Sequence, residues 1–598
     1  MPIVHEVSLD RIFEVKPGDN LWEALLREGL EIEAYCGGLG LCGKCVVKII
    51  AGKVSEPNSQ EGKHLGERIR EGCRLACQVV VTGDLRIDVT PARSGKVTAL
   101  TETMEAEIGE LPLRRELVNL EKPPLYRLAS LQDILGHHLC GQNAPRLWTV
   151  QSLQGISMIE DRASQTFEIV FDRNMVRWTG KSLQKDPFLG LAVDIGTTTV
   201  AVELVDLETG STVFRAGTLN RQAGFGADVI SRLRAIQEDH GALMVLREQV
   251  VRTINDLVQG ASQQTGIDPG RIFAITVAGN TIMEHILLGV SPLSIGVAPY
   301  APVFNHSMEL RATDLDLITN PEAQVYLFPS VAGYVGGDIV AGAVAHGLLE
   351  EPECLLYVDI GTNGEIVLVE GGRILCCGTA AGPAFEGAQI KFGSRAALGA
   401  ICGVESEGQT LKISTIGNAP PHGICGTGLI DALACLVREG LINSNGRLVG
   451  NGGSLEAYLG QQGTHKTFTL SRDPLIYISQ EDISQLQLAK AAIDAGRKIM
   501  LKEAGKNEEA IVRVVLAGAF GTFINPASAV AVDLIPPGKV VTTVGNASLA
   551  GAKKALVSSE FRDQAERFAR EARYIELSGR ADFQDMFFES LIFSQARI

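Results

Sequence analysis

Leu191-Ala192-Val193-Asp194-Ile195-Gly196-Thr197-Thr198-Thr199-Val200 is an apolar run, a turn of Gly and Thr, and the start of a second apolar run. The pattern recurs as Leu356-Tyr357-Val358-Asp359-Ile360-Gly361-Thr362-Asn363-Gly364-Glu365-Ile366. Both copies read as strand, Asp-x-Gly-Thr, strand. A phosphate-binding hairpin needs a carboxylate to hold hydrated Mg²⁺, a Gly for close backbone approach and hydroxyls to meet phosphate oxygens. Asn363-Gly364 is in addition a strong hairpin-turn signal. One Asp-x-Gly-Thr alone is as well read as a simple β-turn, but two in matching context point to a nucleotide cleft. A repeat this long is no solenoid period. It predicts two similar lobes, each opening with the same hairpin.

Outward from these hairpins, apolar strands alternate with helical stretches from Leu189 almost to the end, which predicts α/β units. Neither hairpin carries the Lys of a P-loop, and no G-x-G-x-x-G follows a strand, so a P-loop fold and a dinucleotide-binding Rossmann site are both disfavoured. Gly423-Ile424-Cys425-Gly426-Thr427-Gly428-Leu429-Ile430-Asp431 is a second glycine-rich approach to a helix, suited to backbone or anion contact. Asp338, Glu365 and Glu386 are candidates to position an attacking water or Mg²⁺, each with a plain loop or interface role as the alternative. Gly279-Asn280-Thr281 with Glu284-His285 lines the cleft or packs beneath it, and His285 reads as a structural histidine.

The other informative stretch is Cys36-Gly37-Gly38-Leu39-Gly40-Leu41-Cys42-Gly43-Lys44-Cys45, followed by Cys73-Arg74-Leu75-Ala76-Cys77-Gln78. Five of the twelve cysteines lie between Cys36 and Cys77. Clustered thiols in a reducing compartment bind metal or do redox work more often than they form disulfides. A close triplet plus a distant fourth supplies the four thiolates of a 2Fe–2S cluster. The glycines allow backbone N–H groups to turn toward the sulfurs. A zinc site would use paired knuckles, which only Cys42/Cys45 and Cys73/Cys77 offer, and the glycine-rich first loop favours iron–sulfur. Cys376, Cys377, Cys402, Cys425 and Cys435 lack ligand spacing and read as isolated buried thiols.

At 598 residues the chain is too long for one core. Charged residues are 21% and hydrophobic ones 45%, as in ordinary globular proteins. The net charge of −16 argues against a nucleic-acid partner. The first residues lack the features of a signal peptide, and no apolar run reaches the ~20 residues of a membrane span. A cytoplasmic protein is expected. The domains expected are 1–92 around the cysteines, a charged linker at 93–120, a middle domain at 121–187 with a half-buried strand at Phe167–Asp172, and 188–598.

The cysteine pattern resembles the 2Fe–2S ferredoxins. The step from Cys42 to Cys45 matches that family, and the step from Cys36 to Cys42 is closer to the adrenodoxin type than to the plant type. The resemblance implies a β-grasp domain with Cys36, Cys42, Cys45 and Cys77 as ligands. Cys77 is preferred to Cys73 because Arg74–Gln78 resembles the family's last-ligand context. The paired hairpins resemble the superfamily of actin, the heat-shock chaperone ATPases and the sugar and acetate kinases. That resemblance implies a two-lobed fold with Mg-ATP held by Gly196, Thr197, Thr198, Thr199, Gly361, Thr362, Asn363 and Gly364 and by the carboxylates Asp194 and Asp359; with these two, Glu365 is taken from the candidates above as the third catalytic residue. It also implies a strand and small residues against the adenosine, for which Gly518, Ala519, Phe520 and Gly521 fit.

The combination is similar to the reductive activators of corrinoid proteins, which serve corrinoid-dependent methyltransferases in anaerobes. Carrying the likeness are Gly279–His285, Ala381–Gly387 and Gly423–Gly428. It implies ATP-dependent one-electron reduction of a corrinoid protein from Co(II) to Co(I) through the 2Fe–2S cluster, an external low-potential electron donor, and a homodimer formed by the C-terminal domain. Two other readings use the same parts: an activator of another low-potential enzyme such as a 2-hydroxyacyl-CoA dehydratase, and a small-molecule kinase with an accessory redox domain.

Overall fold

The computed structural model describes residues 1–8, 10–28, 30, 32, 40, 43–89, 106–120, 130–139, 147–157, 165–181, 186–226, 228–387, 389–518 and 523–594. The N-terminal unit comprises β1 (Ile3–Glu6), β2 (Arg11–Glu14), α1 (Leu21–Arg27), β3 (Val46–Val54), α2 (Ser59–Leu65), β4 (Cys73–Leu75) and β5 (Val81–Asp88). Its sheet runs β2-β1-β5-β3-β4. The central β1–β5 pair is parallel and the other pairs are antiparallel, as a ferredoxin-type β-grasp requires. Leu21 and Leu25, one helical turn apart, bury one face of α1 in the core that also holds Val4, Val47 and Ile87.

Next come β6 (Arg114–Leu120), α3 (Leu131–His138), β7 (Leu147–Trp148), α4 (Val150–Ser157), β8 (Gln165–Phe171) and β9 (Met175–Lys181), with sheet order β6-β8-β9-β7. β6 lies inside the stretch expected as a linker, yet it pairs along its whole length with β8. Upstream of it, the Gly109 N–H donates to Val557 O, so this stretch is packed on the C-terminal domain. The strand expected to be half-buried is buried on both faces. Phe167, Ile169 and Phe171 fill the middle domain's own core, while Val170 joins the core of the next domain. On that second face the buried Glu168 accepts two bonds from Arg271, at 2.6 and 2.9 Å. A carboxylate at such a position is tolerated because it is paired bidentately.

The first lobe comprises β10 (Leu189–Ile195), β11 (Thr199–Asp206), β12 (Thr212–Leu219), α5 (Val229–Glu238), α6 (Ala242–Thr265), β13 (Ile272–Gly279), α7 (Thr281–Leu287), β14 (Met308–Arg311), β15 (Gln324–Leu327) and α8 (Gly337–Ala345). The second has β16 (Leu355–Ile360), β17 (Gly364–Glu370), β18 (Arg373–Thr379), β19 (Ala400–Glu407), β20 (Thr410–Thr415), β21 (Gly423–Ile424), α9 (Gly426–Arg438), β22 (Leu459–Gln462), β23 (His465–Arg472), β24 (Leu475–Ser479), α10 (Gln480–Ala504), β25 (Arg513–Ala517), α11 (Pro526–Ala531), β26 (Val540–Thr543), α12 (Ala547–Val557), α13 (Ser559–Glu571), β27 (Arg573–Tyr574) and α14 (Ala581–Ser590).

The two large sheets repeat one topology. The first runs β12-β11-β10-β13-β15-β14 and the second β18-β17-β16-β25-β26, extended by β27 beside β18. In each, an antiparallel meander of three strands is followed by two parallel strands added on the other side of the first, and the first sheet carries β14 as an extra antiparallel edge. Each lobe carries one copy of this unit, and the two together make the two-lobed actin-like fold. The sheet interiors read as unbroken apolar runs because helices cover both faces. Helix α12 follows β26 of lobe two but packs on α8, β10 and β13 of lobe one, which ties the lobes together. Gly551 sits where a Cβ would come 2.2 Å from Ala341 O, so α8 and α12 cross nearly backbone to backbone.

Candidate functional site

In the N-terminal domain the sulfurs of Cys45 and Cys77 lie 3.3 Å apart. The Ala76 N–H donates to Cys45 O at 2.8 Å, so the two loops are stitched side by side. Cys36 and Cys42 fall outside the described residues. Gly40 and Gly43 take φ of +71° and +67°, and a Cβ at either would strike Gln78 or His64. The positive φ at both positions is what calls for glycine in this loop. Cys73 is also buried, on β4, with its backbone in register with Lys48. The stretch carrying Cys77 is held by an ion pair that the sequence reading missed. Arg74 Nε and Nη2 meet the two oxygens of Glu61 at 2.8 Å each, and the Leu75 N–H also donates to Glu61 Oε1. Glu61 completes a capping box with Asn58 on α2. Two adjacent thiols on a rigid, glycine-permitted loop fit iron–sulfur ligation.

The second site is a cavity of about 210 Å³ between the lobes. Both hairpin turns face it. In lobe one, Asp194 pairs with Ala201 and Ile195 with Val200, leaving Gly196–Thr199 as the turn end. In lobe two, Asp359 pairs with Glu365 and Ile360 with Gly364. Glu365 thus occupies the register position that Ala201 fills in the first hairpin. Across the cavity Thr198 Oγ1 stands 3.3 Å from Thr362 Oγ1. Both hydroxyls donate to Glu386, Thr198 to Oε2 at 2.9 Å and Thr362 to Oε1 at 2.8 Å. Glu386 follows Gly382-Pro383, where Gly382 at φ +75° turns the chain into the cleft.

Asp194 accepts from Asn546 Nδ2 and Ser548 Oγ, both at 2.8 Å. Asn546 caps α12 by accepting from the Leu549 N–H. The N-termini of α8 and α12 both open onto the cavity, where the helix dipoles favour an anion. Gly518 has φ +101°, and a Cβ there would lie 2.4 Å from Ile360 O and 2.8 Å from Asp359 Oδ1. Only glycine lets β25 end this close to the second hairpin.

The cleft is acidic. Burial raises Asp359 to about 7, with the neighbouring Asp194 adding to the shift and the Tyr357 hydroxyl opposing it. Asp338, in the first turn of α8, is pushed to about 8 by burial and by Asp359 and Asp194. Burial also raises Asp194, offset by its bonds to Ser548 and Asn546. Glu365 is driven well above its ordinary value by burial and by Asp338 and Asp359. Glu386 is raised by burial against the pull of Thr362, Thr198, Arg395 and Arg232. Among the described residues lining the cavity, Arg395 is the one cationic side chain. No three Asp, Glu, His or Cys side chains among the described residues converge tightly enough to chelate a bare cation.

The structure thus brings together Asp194, Gly196, Thr197, Thr198, Thr199, Asp359, Gly361, Thr362, Asn363, Glu365 and Gly518, together with the lesser candidates Asp338, Asn280 and Glu386. Ala519, Phe520 and Gly521 fall outside the described residues. Gly364 turns away from the cavity: a Cβ would meet Thr379 Oγ1 at 2.7 Å and Ile493, so glycine there serves packing against β18 and α10. The Gly423–Asp431 stretch packs under β19 instead of lining the cavity. A Cβ on Gly428 would be 2.2 Å from Ile401 O, and Thr427 Oγ1 donates to Cys402 O. His285 is structural. It stacks on Phe304, contacts Thr281 O at 2.7 Å and accepts from the Val303 N–H at 3.0 Å. Arg395, Asn546 and Ser548 were not singled out in the sequence. Asn546-Ala547-Ser548 ahead of an apolar helix is a legible N-cap signal, but nothing local says that the helix crosses to the other lobe.

Comparison with known proteins agrees with this geometry. Residues 4–82 match the 2Fe–2S iron-sulfur cluster binding domain, residues 189–351 the RACo middle region, and residues 353–598 the C-terminal domain of RACo, the ASKHA domain. The corrinoid activation enzyme RamQ of Eubacterium limosum is 29% identical over 587 residues, 94% of each chain. The [Co(II) methylated amine-specific corrinoid protein] reductase of Methanosarcina barkeri is 26% identical over 64% of this chain and 72% of its own. A solved structure of a reductive activator for corrinoid, iron-sulfur protein is 34% identical, covers 99% of this chain and 98% of its own, and superposes with a TM-score of 0.75. With a cluster-type domain at one end and a two-lobed ATPase-type fold at the other, matched over nearly its full length, the chain belongs to the RACo family of reductive activators.

Proposed function

We propose that this protein reduces the cobalt of a partner corrinoid protein from Co(II) to Co(I), one electron at a time and at the expense of ATP. The observation that carries the reading is that the chain joins two sites a simple kinase would not combine: the Cys45/Cys77 loop and the Thr198/Thr362 cleft. A bound 2Fe–2S cluster, held by Cys36, Cys42, Cys45 and Cys77, supplies a one-electron carrier of low potential, near roughly −400 mV in plant-type ferredoxins. Each further ~100 mV uphill costs about 2.3 kcal/mol per electron. ATP can drive such a step by favouring one conformational state. An external low-potential donor is needed to refill the carrier.

In the cleft, Thr198 and Thr362 offer hydroxyls to phosphate oxygens, and Gly196 and Gly361 allow the backbone to approach. The helix N-termini at Asp338 and Asn546 face the same space. A polyphosphate set among these acidic side chains calls for Mg²⁺, which would neutralise its charge and displace the protons that burial holds on Asp338 and Asp359. Asp194 and Asp359 would hold that ion through its water shell. Glu365 lies beside Asp359 and is assigned to orienting the water. Ala519, Phe520 and Gly521 are assigned to the adenosine. The wider proposal includes a cytoplasmic location and a homodimer through the C-terminal domain. No helix of the described residues is long and apolar enough to cross a membrane.

The test is anaerobic absorbance of a Co(II) corrinoid protein mixed with this protein and a low-potential reductant. Conversion to the Co(I) spectrum with Mg-ATP, and not without it, is expected. A Cys45→Ser variant should lose both the visible cluster absorbance and the conversion while retaining nucleotide binding. Conversion that proceeds equally without ATP, or steady phosphorylation of a small molecule without any protein partner, would overturn the reading.

A further inference from the structure

We propose that the ferredoxin domain docks across the mouth of the cleft through Lys44, and that the segment from Glu386 to Arg395 makes this docking answer to the nucleotide. The gating half of this proposal rests on the ATP reading above; the docking half does not.

Lys44 precedes Cys45 in the cluster loop. Its ammonium donates to three backbone carbonyls of lobe two, Ile390 at 3.0 Å, Lys391 at 3.1 Å and Gly393 at 2.8 Å. A lysine has three donors, and one bend of chain receives them. That bend is rigid. The Lys391 N–H is held by Asp482 Oδ1 at 2.8 Å. Ile424 N donates to Phe392 O and Ser394 N to Ile424 O, both at 2.8 Å. Gly387 and Gly393 cross so closely that a Cβ on Gly393 would sit 2.1 Å from Gly387 O. Both ends of the bend enter the cleft, because Glu386 and Arg395 line it. Glu386 and the carbonyl cradle are thereby joined through the close crossing of Gly387 and Gly393, and the gating half of the proposal is that a shift of Glu386 is passed to the cradle across this crossing.

The ferredoxin domain has a second foothold. Its helix α1 lies against the turn Arg221–Phe225 of lobe one. That turn is bonded to the first hairpin: the Asn220 N–H donates to Thr198 O, and Asn220 Nδ2 to Gly196 O, both at 2.9 Å. The domain thus touches both lobes, in lobe one at a turn bonded to the first hairpin and in lobe two on the bend whose leading residue, Glu386, bonds Thr362 of the second. A change in lobe closure alters the separation of the two footholds, and a rigid domain cannot satisfy both in both states. A nucleotide that favours one closure then has different affinities for the docked and undocked forms, which is all that population shift requires. Docked, the Cys45/Cys77 loop lies against lobe two. Undocked, it is available to an external partner.

The experiment uses the full-length protein and reads acylation of single lysines by mass spectrometry, with bound non-hydrolysable Mg-ATP analogue measured by equilibrium dialysis on the same sample. Lys63, exposed on α2, is the internal reference. Without nucleotide, Lys44 should react about tenfold more slowly than Lys63 or slower still, as expected for a charge-assisted set of bonds. With analogue bound, the two rates should converge. Lys44 as reactive as Lys63 from the start would overturn the docking. Bound analogue with Lys44 still protected would overturn the gating alone, whereas no bound analogue would overturn the ATP reading and the gating with it. A Lys44→Met variant with intact visible absorbance should show an enlarged radius of gyration by small-angle scattering even without nucleotide. An unchanged radius would overturn the latch.

Discussion

Thr198 and Thr362, one from each lobe, hold their hydroxyl oxygens 3.3 Å apart across the cleft. They do so because each donates to a different oxygen of Glu386. One carboxylate thereby closes two hairpins that are 164 residues apart in the chain. Replacing Glu386 with Ala removes two charge-assisted bonds and leaves the hydroxyls free to turn. It should lower kcat/KM for ATP hydrolysis about tenfold or more. Steady-state ATPase assays check this, and wild-type values in Glu386→Ala would show that the bridge has no part in the cleft's chemistry.

The cleft acids give the protein a definite pH response. Asp359 at about 7 and Asp338 at about 8 both lie above the ordinary 3.8 of the unfolded chain. Between those limits the folded protein retains protons that the unfolded chain has released. The nucleotide-free protein should therefore lose stability as pH rises from about 4 toward 8 and level off beyond. A divalent cation competes for the same carboxylates, so Mg-nucleotide should add more to the melting temperature at pH 8 than at pH 6. Differential scanning fluorimetry with and without Mg-ATP reads both slopes, and equal increments at the two pH values would contradict the assignment.

Gly518→Ala tests the close approach of β25 to the second hairpin. The new methyl meets Ile360 O and the Asp359 carboxylate at a φ of +101°, which an L side chain rarely adopts. Strain of this kind costs about 1–3 kcal/mol. It should appear as weaker nucleotide affinity and a lower melting temperature of the two-lobed domain, while the visible absorbance of the ferredoxin domain is unaffected. Calorimetric titration beside the absorbance spectrum separates the two.

Glu61→Gln tests the ferredoxin domain in the converse way. It leaves Arg74, 5% exposed, without its bidentate partner. Breaking one side of a buried pair costs about 3–5 kcal/mol. The cluster absorbance should bleach at a lower urea concentration, with the two-lobed domain unfolding as before. An unchanged midpoint would mean that the pair adds little rigidity to the Cys73–Cys77 stretch.

Much of this protein was legible in order along the chain. The hairpins at Asp194 and Asp359 and the cysteine pattern are local: strand alternation, a turn and a few spaced side chains suffice to specify them. From two copies of one hairpin the two-lobed fold follows, and the matched sheet orders agree with it. What only the tertiary structure decided are the contacts between distant segments. Asn546 and Ser548 meet Asp194 because α12 crosses from lobe two to lobe one. β6 joins a sheet although its sequence reads as charged linker, because pairing with β8 satisfies its backbone. Gly364 and Gly428 look like ligand glycines but serve packing. Lys44 gains its meaning from three carbonyls some 350 residues away. Backbone turns and periodicity are set by neighbours in sequence, whereas which side chain meets which across a cleft is set by how whole sheets and helices pack.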